Sequence, residues 1–411
     1  MTRIIYKVGF FCVLVCCFLF FILVQYKSPT YINAQLQDGL LVILPTEYQR
    51  ITNEKRTERI SNNVTEKSQH VQNKVSKIEM PPVINSNNAR ERFLRYRFKA
   101  WPNQMTSKDI PRRLQMVRRN YQNINTYRVR YQGKINQQHS AAQIMCQLKN
   151  KVNMATLQPS DLPFNAVSLS SDMPKKSLQE TLGKLGRCAV VTSSGALKFS
   201  RLGQVIDSYD AVLRFNTAPT KGFENDVGSK TTIRLMNSQV VALPSYKFVE
   251  NFPFKNEILV VWDPKPYSAG LHEWYQRPEY GFFDRYGKYR KKNPNQPFYV
   301  LNPQISWQIW DIIQENSPEP IHPNPPSSGS LGILLMMNLC DEVSVYEFLP
   351  SFRQNDVCYY FNTLRDQACT YGGYHPLIYE KNLIKKLNQG DENSIRDYGK
   401  ITLPGLRNLK C

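Results

Sequence analysis

Several motifs that mark common enzyme classes are missing from this sequence of 411 residues. Asp-x-Asp occurs nowhere, so there is no obvious carboxylate site for a divalent cation that holds a diphosphate. His-Glu-x-x-His and Cys-x-x-Cys are also missing, and we therefore do not expect a zinc site. The absence of Gly-x-Ser-x-Gly argues against a serine hydrolase of the α/β-hydrolase type.

Acidic residues are few relative to basic ones. The chain has 33 Asp and Glu against 53 Lys and Arg, for a formal net charge of +20. Apolar residues make up 41%, which excludes a wholly disordered chain, a collagen and a polytopic membrane protein. Nine cysteines are too few for a disulfide miniprotein. The length would allow two or three average domains if all of it folds.

One long run without charge lies between Lys7 and Lys27. At ~1.5 Å per residue, it spans ~28 Å as a helix, about one hydrocarbon core. No Ala-x-Ala cleavage pattern follows, so we interpret residues 8–26 as an uncleaved signal anchor rather than a cleaved signal peptide. Arg3 and Lys7 precede the run, which predicts a cytoplasmic tail at 1–7 and a type II orientation with the bulk of the chain in the lumen.

Residues 27–90 are rich in Asn, Gln, Lys, Glu and Ser and contain only two aromatic side chains. Such a segment cannot bury enough apolar surface to offset its ordering entropy, and we predict a flexible stem. Asn63-Val-Thr is the only N-glycosylation pattern in the chain, which predicts that Asn63 is modified.

Residues 91–145 form a basic lead-in to the rest of the chain. Between positions 90 and 134 there are thirteen Lys or Arg and two acids, with aromatic residues interleaved. We favour a solvated segment that packs some aromatics on a domain; a surface for anionic glycans or membranes is the alternative. The same pattern would indicate nucleic-acid binding in a nuclear protein, but a lumenal location excludes that partner.

Residues 146–411 have a globular composition and are long enough for one large domain with a sizeable core. Strands are predicted at Cys188–Thr192, Ala211–Phe215, Thr231–Met236, Glu257–Trp262, Phe298–Leu301 and Val343–Phe348. Helices are predicted at Leu197–Ile206, Trp307–Glu315, Ser330–Leu339 and Tyr379–Asn388. This alternation predicts an α/β fold with a mainly parallel sheet.

The first segment that could take part in binding or catalysis is Cys188-Ala-Val-Val-Thr-Ser-Ser-Gly195. A buried strand ends here in small hydroxyl residues and a glycine before a helix, a geometry that suits a phosphate or nucleotide at the carboxyl end of a sheet. The segment is neither a dinucleotide fingerprint nor a P-loop, and most strand–turn–helix connections bind nothing.

The second segment, Pro323–Gly332, leads into an apolar helix through PNPPSSGSLG. Ser327 or Ser328 can cap that helix, and the free amides near Gly329 then face outward with the positive helix end behind them. This arrangement is an anion cradle or, equally, an ordinary capped core helix.

The third segment runs from Cys358 to Glu380 and contains His375. Of the five histidines, only this one is flanked by aromatics and a helix that bears Lys381. A lone histidine is more often structural than catalytic, and both readings stay open on this context alone. Six cysteines lie beyond the anchor, an even number that permits full pairing in an oxidising lumen but allows fifteen connectivities.

Together these three segments resemble the sialyl motifs of the sialyltransferases, glycosyltransferase family 29. Residues 188–235 are similar to the large motif, notably DAVLRFN and the start of VGSKTTIRLMNSQ, and Pro323–Phe348 to the small motif. Tyr359–Asn362 falls at the third motif, although Asn362 departs from its usual ending, and His375–Glu380 fits the very small motif. The likeness is strongest to members that act on galactose O6, through VWDP, NPNQPFY, NPPSSG, DVCYY and YEKNL.

The resemblance implies a Rossmann-like, variant GT-A-type single catalytic domain with disulfides. It implies inverting, metal-independent transfer from CMP-sialic acid to O6 of galactose in Galβ1-4GlcNAc termini of glycoprotein N-glycans, with no cofactor. The leaving group is a phosphate monoester, so no diphosphate needs a metal. His375 would be the general base, and amides around Ser327, Ser328 and Gly329 would stabilise the departing phosphate.

The resemblance also implies the site residues. The donor would contact Ser193, Asn216, Asn237, Ser327, Ser328, Gly329, Cys358, Tyr359, Thr370, Tyr374, His375 and Lys381. The acceptor would contact Gln239, Trp262, Glu279 and Tyr280, where Glu279 replaces the Asp expected from the likeness. The implied disulfides are Cys146–Cys411, Cys188–Cys340 and Cys358–Cys369.

The resemblance implies that the protein lies in the Golgi membrane, held by its own anchor. Cleavage of the stem would release a soluble form. Whether the protein forms a homodimer stays open. Three other hypotheses compete with this reading. One is a membrane-anchored lectin that keeps the fold without turnover, and another is a nucleic-acid-binding protein, favoured only by positions 90–134. The third is a sialyltransferase of other linkage or acceptor, directed to α-2,3 galactose or to GalNAc.

Overall fold

A mainly parallel β-sheet organises the part of the protein that the computed structural model describes, which is Met80 and residues 89–411. Its strands are β1 (Leu185–Val191), β2 (Ala211–Phe215), β3 (Ile233–Asn237), β4 (Ile258–Trp262), β5 (Phe298–Val300), β6 (Cys340–Tyr346) and β7 (Lys400–Pro404). They lie in the order β5-β4-β3-β2-β1-β6-β7, and only β7 runs antiparallel to its neighbour. The α/β class with a mainly parallel sheet is thus confirmed.

The sheet is buried on both faces. Cys188 and Val190 of β1 face one core cluster, whereas Ala189 and Val191 face another on the opposite side. Near-continuous apolar strands such as ILVVW in β4 are what a parallel sheet covered by helices requires. A third, aromatic-rich cluster packs on the same side of β4 as Leu259 and Val261.

Helices surround this sheet. Those before β2 are α1 (Ala89–Arg97), α2 (Arg112–Ile124), α3 (Ala141–Lys151), α4 (Leu178–Leu182) and α5 (Gly203–Asp207). Those between β2 and β5 are α6 (Glu224–Val227), α7 (Ser238–Ala242), α8 (Phe248–Asn251), α9 (Leu271–Gln276) and α10 (Phe283–Lys292). The rest are α11 (Gln304–Glu315), α12 (Ser328–Leu339), α13 (Ala368–Tyr371), α14 (Leu377–Leu387) and α15 (Glu392–Tyr398).

The strand order reverses at β1. From β1 the chain adds β2 to β5 on one side, and β6 then pairs with β1 on the other, with Val191 opposite Tyr346 at their carboxyl ends. In open parallel sheets, ligands bind outside the carboxyl ends of the strands at such a switch point. The fold therefore directs attention to the residues that follow β1 to β4.

The predicted helix over Leu197–Ile206 is wrong. A 3₁₀ turn at Gly195–Leu197 is followed by an irregular stretch, and α5 begins only at Gly203. Phe199 and Arg201 have φ angles of 66° and 57°, which an α-helix cannot contain. The Asp226 carboxylate accepts hydrogen bonds from both of their amides, at 2.8 and 3.0 Å, and so stabilises this non-helical path.

Two further features were not predicted from the sequence. Strand β7 carries the alternation Ile401 and Leu403, whose side chains are buried, but it is short and lies close to the chain end. The basic lead-in contains helices α1, α2 and the start of α3, which were not predicted. Its Trp101 and Tyr127 are buried, as expected for a segment that packs some aromatics on a domain, whereas Tyr96 is 89% exposed.

The structure contains the three disulfides that the family resemblance implies. Cys146 bonds to Cys411, Cys188 to Cys340, and Cys358 to Cys369. The second joins β1 to the first residue of β6, so it links the two strands that flank the switch point.

The anchor over 8–26, most of the stem and Asn63 lie outside the described residues. Among the residues that are described, no helix has both the length and the apolar character needed to cross a membrane.

Candidate active site

The amino end of helix α12 forms an open cradle of main-chain donors. Ser327 caps the helix through its Oγ, which accepts from the amide of Ser330 at 3.3 Å. The amides of Ser328 and Gly329 have no hydrogen-bond partner among residues 89–411. A Cβ at Gly329 would lie 2.9 Å from the ring of Phe348, so this close approach requires glycine.

Glu380 fixes the position of this cradle. Its carboxylate is fully buried and accepts from the Ser327 amide at 3.0 Å, from the Ser327 hydroxyl, and from the Ser330 hydroxyl at 2.6 Å. Of the three amides expected to face an anion, that of Ser327 is therefore already occupied. The cradle available to a phosphate consists of the Ser328 and Gly329 amides.

His375 lies beside the cradle, immediately before α14. Its Nδ1 is 2.8 Å from the carbonyl oxygen of Pro325. A carbonyl oxygen can only accept, so Nδ1 carries a proton and donates it in this bond. Trp262 connects this imidazole to the cradle, because its ring centroid is 6.3 Å from that of His375 and its Nε1 donates to Ser328 Oγ at 2.8 Å.

A second histidine, His322, supports the same segment and was not singled out from the sequence. Its Nε2 donates to the carbonyl oxygen of Tyr374 at 2.9 Å. Burial lowers the pKa of His322 to about 3, so the ring is neutral. The bond ties the residue before His375 to the loop that leads into the cradle.

The carboxyl ends of β1, β2 and β3 carry the predicted donor contacts Ser193, Asn216 and Asn237. The Ser193 carbonyl accepts from the Tyr360 amide at 3.1 Å, which brings the third motif against the first. A side chain at Gly195 would collide with Val357, so glycine permits this approach. Asn216 has a φ of 46°, and its Oδ1 accepts from the Asn237 amide at 3.0 Å.

The disulfide Cys358–Cys369 closes a small loop. Tyr359 directly follows its first cysteine and Thr370 its second. Lys381 donates from Nζ to the Thr370 carbonyl at 2.7 Å and lies 4.8 Å from the ring centroid of Trp101. Burial lowers the pKa of Lys381 to about 7, although Glu380 and Glu347 oppose the shift. The ammonium group is thus held in a desolvated place where an anionic ligand would stabilise its charge.

The predicted acceptor residues converge on the ends of β3 and β4. Gln239 donates from Nε2 to the Tyr280 hydroxyl at 3.1 Å. The buried Tyr127 hydroxyl bonds to the hydroxyl of Tyr374 and to the carboxylate of Glu279. A residue of the basic segment therefore links a predicted donor contact to a predicted acceptor contact.

Asp263 directly follows β4 and is fully buried. It accepts from Trp274 Nε1 at 2.8 Å and from the amides of Glu279 and Tyr280 at 2.9 and 3.3 Å, and it also bonds to the Ser238 hydroxyl. Burial raises the pKa of Asp263 to about 6, against the lowering effect of these four bonds.

The predicted site residues thus lie along one edge of the sheet, with direct contacts between the donor and acceptor groups at Trp262–Ser328 and through Tyr127. Ser193, Asn216 and Asn237 have no side-chain contact to His375 among the described hydrogen bonds. Among Met80 and residues 89–411, no group of three or more His, Cys, Asp or Glu side chains could hold a metal ion.

Comparison with protein families decides the affiliation. The model of glycosyltransferase family 29 (sialyltransferase) matches residues 131–391, which is well over half of the chain. The chain belongs to glycosyltransferase family 29. The match includes all four resembling motifs and begins after Tyr127, so helices α1 and α2 precede it.

Similar proteins come from several vertebrates. Beta-galactoside alpha-2,6-sialyltransferase 1 of Homo sapiens is 51% identical over 315 residues, covering 76% of this family 29 chain and 77% of the human protein. The protein of the same name in Mus musculus is 48% identical over 312 residues, with coverage of 76% and 77%. Beta-galactoside alpha-2,6-sialyltransferase 2 of Gallus gallus is 49% identical over 319 residues, and the match covers 76% of this chain and 60% of that protein. A solved mammalian sialyltransferase aligns with 74% of this chain and 92% of its own at 20% identity and a TM-score of 0.36.

Sequence reasoning missed three residues that contact the predicted site residues: Tyr127, Asp263 and His322. Tyr127 lies among aromatics that alternate with basic residues, where no pattern distinguishes it. Asp263 carried a usable signal, since an acidic residue directly after an all-apolar strand lies at the ligand-binding edge of a parallel sheet.

Proposed function

We propose that this family 29 chain transfers sialic acid from CMP-sialic acid to O6 of terminal galactose in Galβ1-4GlcNAc on glycoprotein N-glycans, with inversion at the anomeric carbon. The names of the relatives that are 48–51% identical support a β-galactoside acceptor and an α-2,6 linkage. The geometry of the site supports the mechanism.

The observation that supports this chemistry best is the hydrogen bond from His375 Nδ1 to the Pro325 carbonyl. It fixes the tautomer in which Nε2 can accept a proton. In our proposal Nε2 takes the proton from the galactose 6-hydroxyl as O6 forms its bond to C2 of sialic acid. General-base assistance of this kind contributes ~10²–10⁴-fold to a rate.

As the O6–C2 bond forms, the bond between C2 and the phosphate oxygen breaks, and its electron pair stays on the CMP phosphate. The Ser328 and Gly329 amides lie beside Trp262 and His375 and would donate to that oxygen as charge develops. The positive end of α12, a helix of 12 residues, adds to this stabilisation. A single displacement needs no nucleophile from the protein.

The remaining residues would bind the two substrates. In this proposal Ser193, Asn216 and Asn237 hold the nucleotide, Lys381 with Thr370 holds the anionic part of the donor, and Gln239, Glu279 and Tyr280 hold galactose. The leaving group, CMP, is a phosphate monoester whose negative charge the Ser328 and Gly329 amides and Lys381 can stabilise, and we therefore propose that neither a metal nor a cofactor is needed.

We further propose that the protein works in the Golgi lumen as a type II membrane protein. Three disulfides support an oxidising compartment. An epitope tag at each end of the full chain, tested for protease protection in sealed Golgi vesicles, would decide the orientation.

Linkage analysis of the product tests the function. The full chain is incubated with CMP-sialic acid and a desialylated N-glycoprotein, and the product is treated with a sialidase specific for α-2,3 linkages or with one of broad specificity. We expect resistance to the first enzyme and release by the second, with a 6-substituted galactose after methylation analysis. Release by the α-2,3 enzyme, or sialic acid on GalNAc, would favour the alternative linkage or acceptor, and no transfer at all would favour a lectin.

A further inference from the structure

Four donors from three separate segments meet at the carboxylate of Asp263. Oδ1 accepts from the Ser238 hydroxyl and the Tyr280 amide, and Oδ2 accepts from Trp274 Nε1 and the Glu279 amide. All four donors are uncharged, and Asp263 is fully buried. A carboxylate is costly to bury, and hydrogen bonds to both of its oxygens offset that cost.

The segments that meet here carry the predicted acceptor residues. Ser238 lies in α7, directly before Gln239, and Asp263 directly follows Trp262. Glu279 and Tyr280 lie between α9 and α10, in a segment without regular structure of its own. Besides the side-chain bonds of Glu279 and Tyr280, the backbone bonds to Asp263 hold that segment against the end of β4.

We infer that Asp263 is a positioning residue for the acceptor: its carboxylate holds the Glu279–Tyr280 backbone and the start of α7 in the arrangement that binds galactose. Asp263 touches no substrate in this scheme. The inference rests on the proposed function, since it names what sets the acceptor geometry of that same site. It predicts a larger effect on acceptor binding than on donor binding, because the contacts of His375, Glu380 and the cradle do not involve Asp263.

Asp263→Asn is the informative variant. An asparagine has nearly the same size as the aspartate but only one acceptor oxygen. Its NH₂ group takes the place of the other oxygen and cannot accept from the two donors there. Whichever way the amide turns, either the Tyr280 or the Glu279 amide loses its acceptor. We expect the KM for N-acetyllactosamine to rise about tenfold or more, while the affinity for CMP changes by less than about twofold.

Asp207→Asn is the matched control. The Asp207 carboxylate also accepts bonds from a loop, namely from the Ser229 amide and hydroxyl at 2.9 Å and from the Lys230 amide at 2.8 Å. That loop contains no predicted acceptor residue, so the KM for N-acetyllactosamine should stay at the wild-type value.

The full-length chain in detergent is used for all measurements. A merely structural role of Asp263 would lower kcat and the stoichiometry of CMP binding with an unchanged acceptor KM, and that result would overturn the inference. If Asp263→Asn binds no CMP, Ser238→Ala decides: removal of one donor should raise the acceptor KM several-fold with normal CMP affinity, and an unchanged KM overturns the inference. An inactive wild-type chain would instead count against the proposed function itself.

Discussion

The side chain of Glu380 and the main chain of Ser327 are joined by a hydrogen bond of 3.0 Å, although 53 positions separate them in the sequence. Glu380 belongs to α14, which begins two residues after His375, and Ser327 is the N-cap of α12. One buried carboxylate therefore fixes the distance between the proposed base and the proposed phosphate cradle.

Glu380→Gln should weaken CMP binding about tenfold or more. The glutamine retains one acceptor oxygen where three donors now converge, and each buried donor left unpaired costs about 1–3 kcal/mol. Titration calorimetry with CMP gives the affinity, and a denaturant melt gives the free energy of unfolding.

Glu180→Gln is the control for that variant. Glu180 also accepts from the amide and hydroxyl of a capping serine, Ser177, at 2.7 and 2.8 Å, but on the exposed helix α4. Its replacement should leave CMP affinity unchanged. Equal CMP affinity in Glu380→Gln and wild type would contradict the role given to Glu380.

His375→Ala should abolish most transfer while CMP still binds. The variant loses the proton acceptor, and we expect the rate to fall by ~10²–10⁴-fold, whereas the Ser328 and Gly329 amides remain in place. His272→Ala, at an exposed position at the start of α9, is the control and should transfer at the wild-type rate. Near-normal turnover in His375→Ala would mean that another group is the base.

Donor binding should weaken as the pH rises above about 7. Burial lowers the pKa of Lys381 to about 7 in the donor-free protein, so this lysine loses its proton and its charge as the pH increases through that value. The carboxylate and phosphodiester of CMP-sialic acid keep their charges there. If only the charged form binds, the KM for the donor rises by up to about tenfold per pH unit above the pKa.

The donor KM is measured from about pH 6 to about pH 9, so that the range includes values below and above the pKa of Lys381. Lys381→Met should show a high KM with little dependence on pH. Lys386→Met, an exposed lysine on the same helix, should keep the wild-type profile. A flat profile in the wild-type chain would remove Lys381 from the donor site.

Two of the disulfides should have separable effects. Loss of Cys358–Cys369, which closes a loop with a sequence separation of 11, should cost about 3 kcal/mol of unfolding free energy and also weaken CMP binding, because Tyr359 and Thr370 adjoin its ends. Loss of Cys146–Cys411, with a separation of 265, should cost about 5 kcal/mol and leave CMP affinity intact. Paired Cys→Ala variants, examined by denaturant melts and calorimetry, test both statements; parallel losses of CMP affinity would contradict them.

Much of the sheet could be predicted from the sequence because parallel strands buried on both faces are short apolar runs. The segments AVLRF and ILVVW form β2 and β4 with little change in their limits. Helix α11 was also found, since its buried face repeats with helical period. The prediction of a helix over Leu197–Ile206 was wrong because the carboxylate of Asp226, which is distant in sequence, accepts bonds from the Phe199 and Arg201 amides and stabilises a non-helical backbone there.

The sequence by itself determined the family and the α/β class and predicted the residue types of the site, because motif spacing and hydrophobic periodicity are local properties of the chain. Only the tertiary structure decided how those residues act together. The Pro325 carbonyl orients His375 across 50 positions, and Asp263 holds the Glu279–Tyr280 segment through backbone amides that any sequence would supply. Hydrogen bonds to main-chain groups between distant segments depend on how the chain is folded, and they leave no pattern in the order of its side chains.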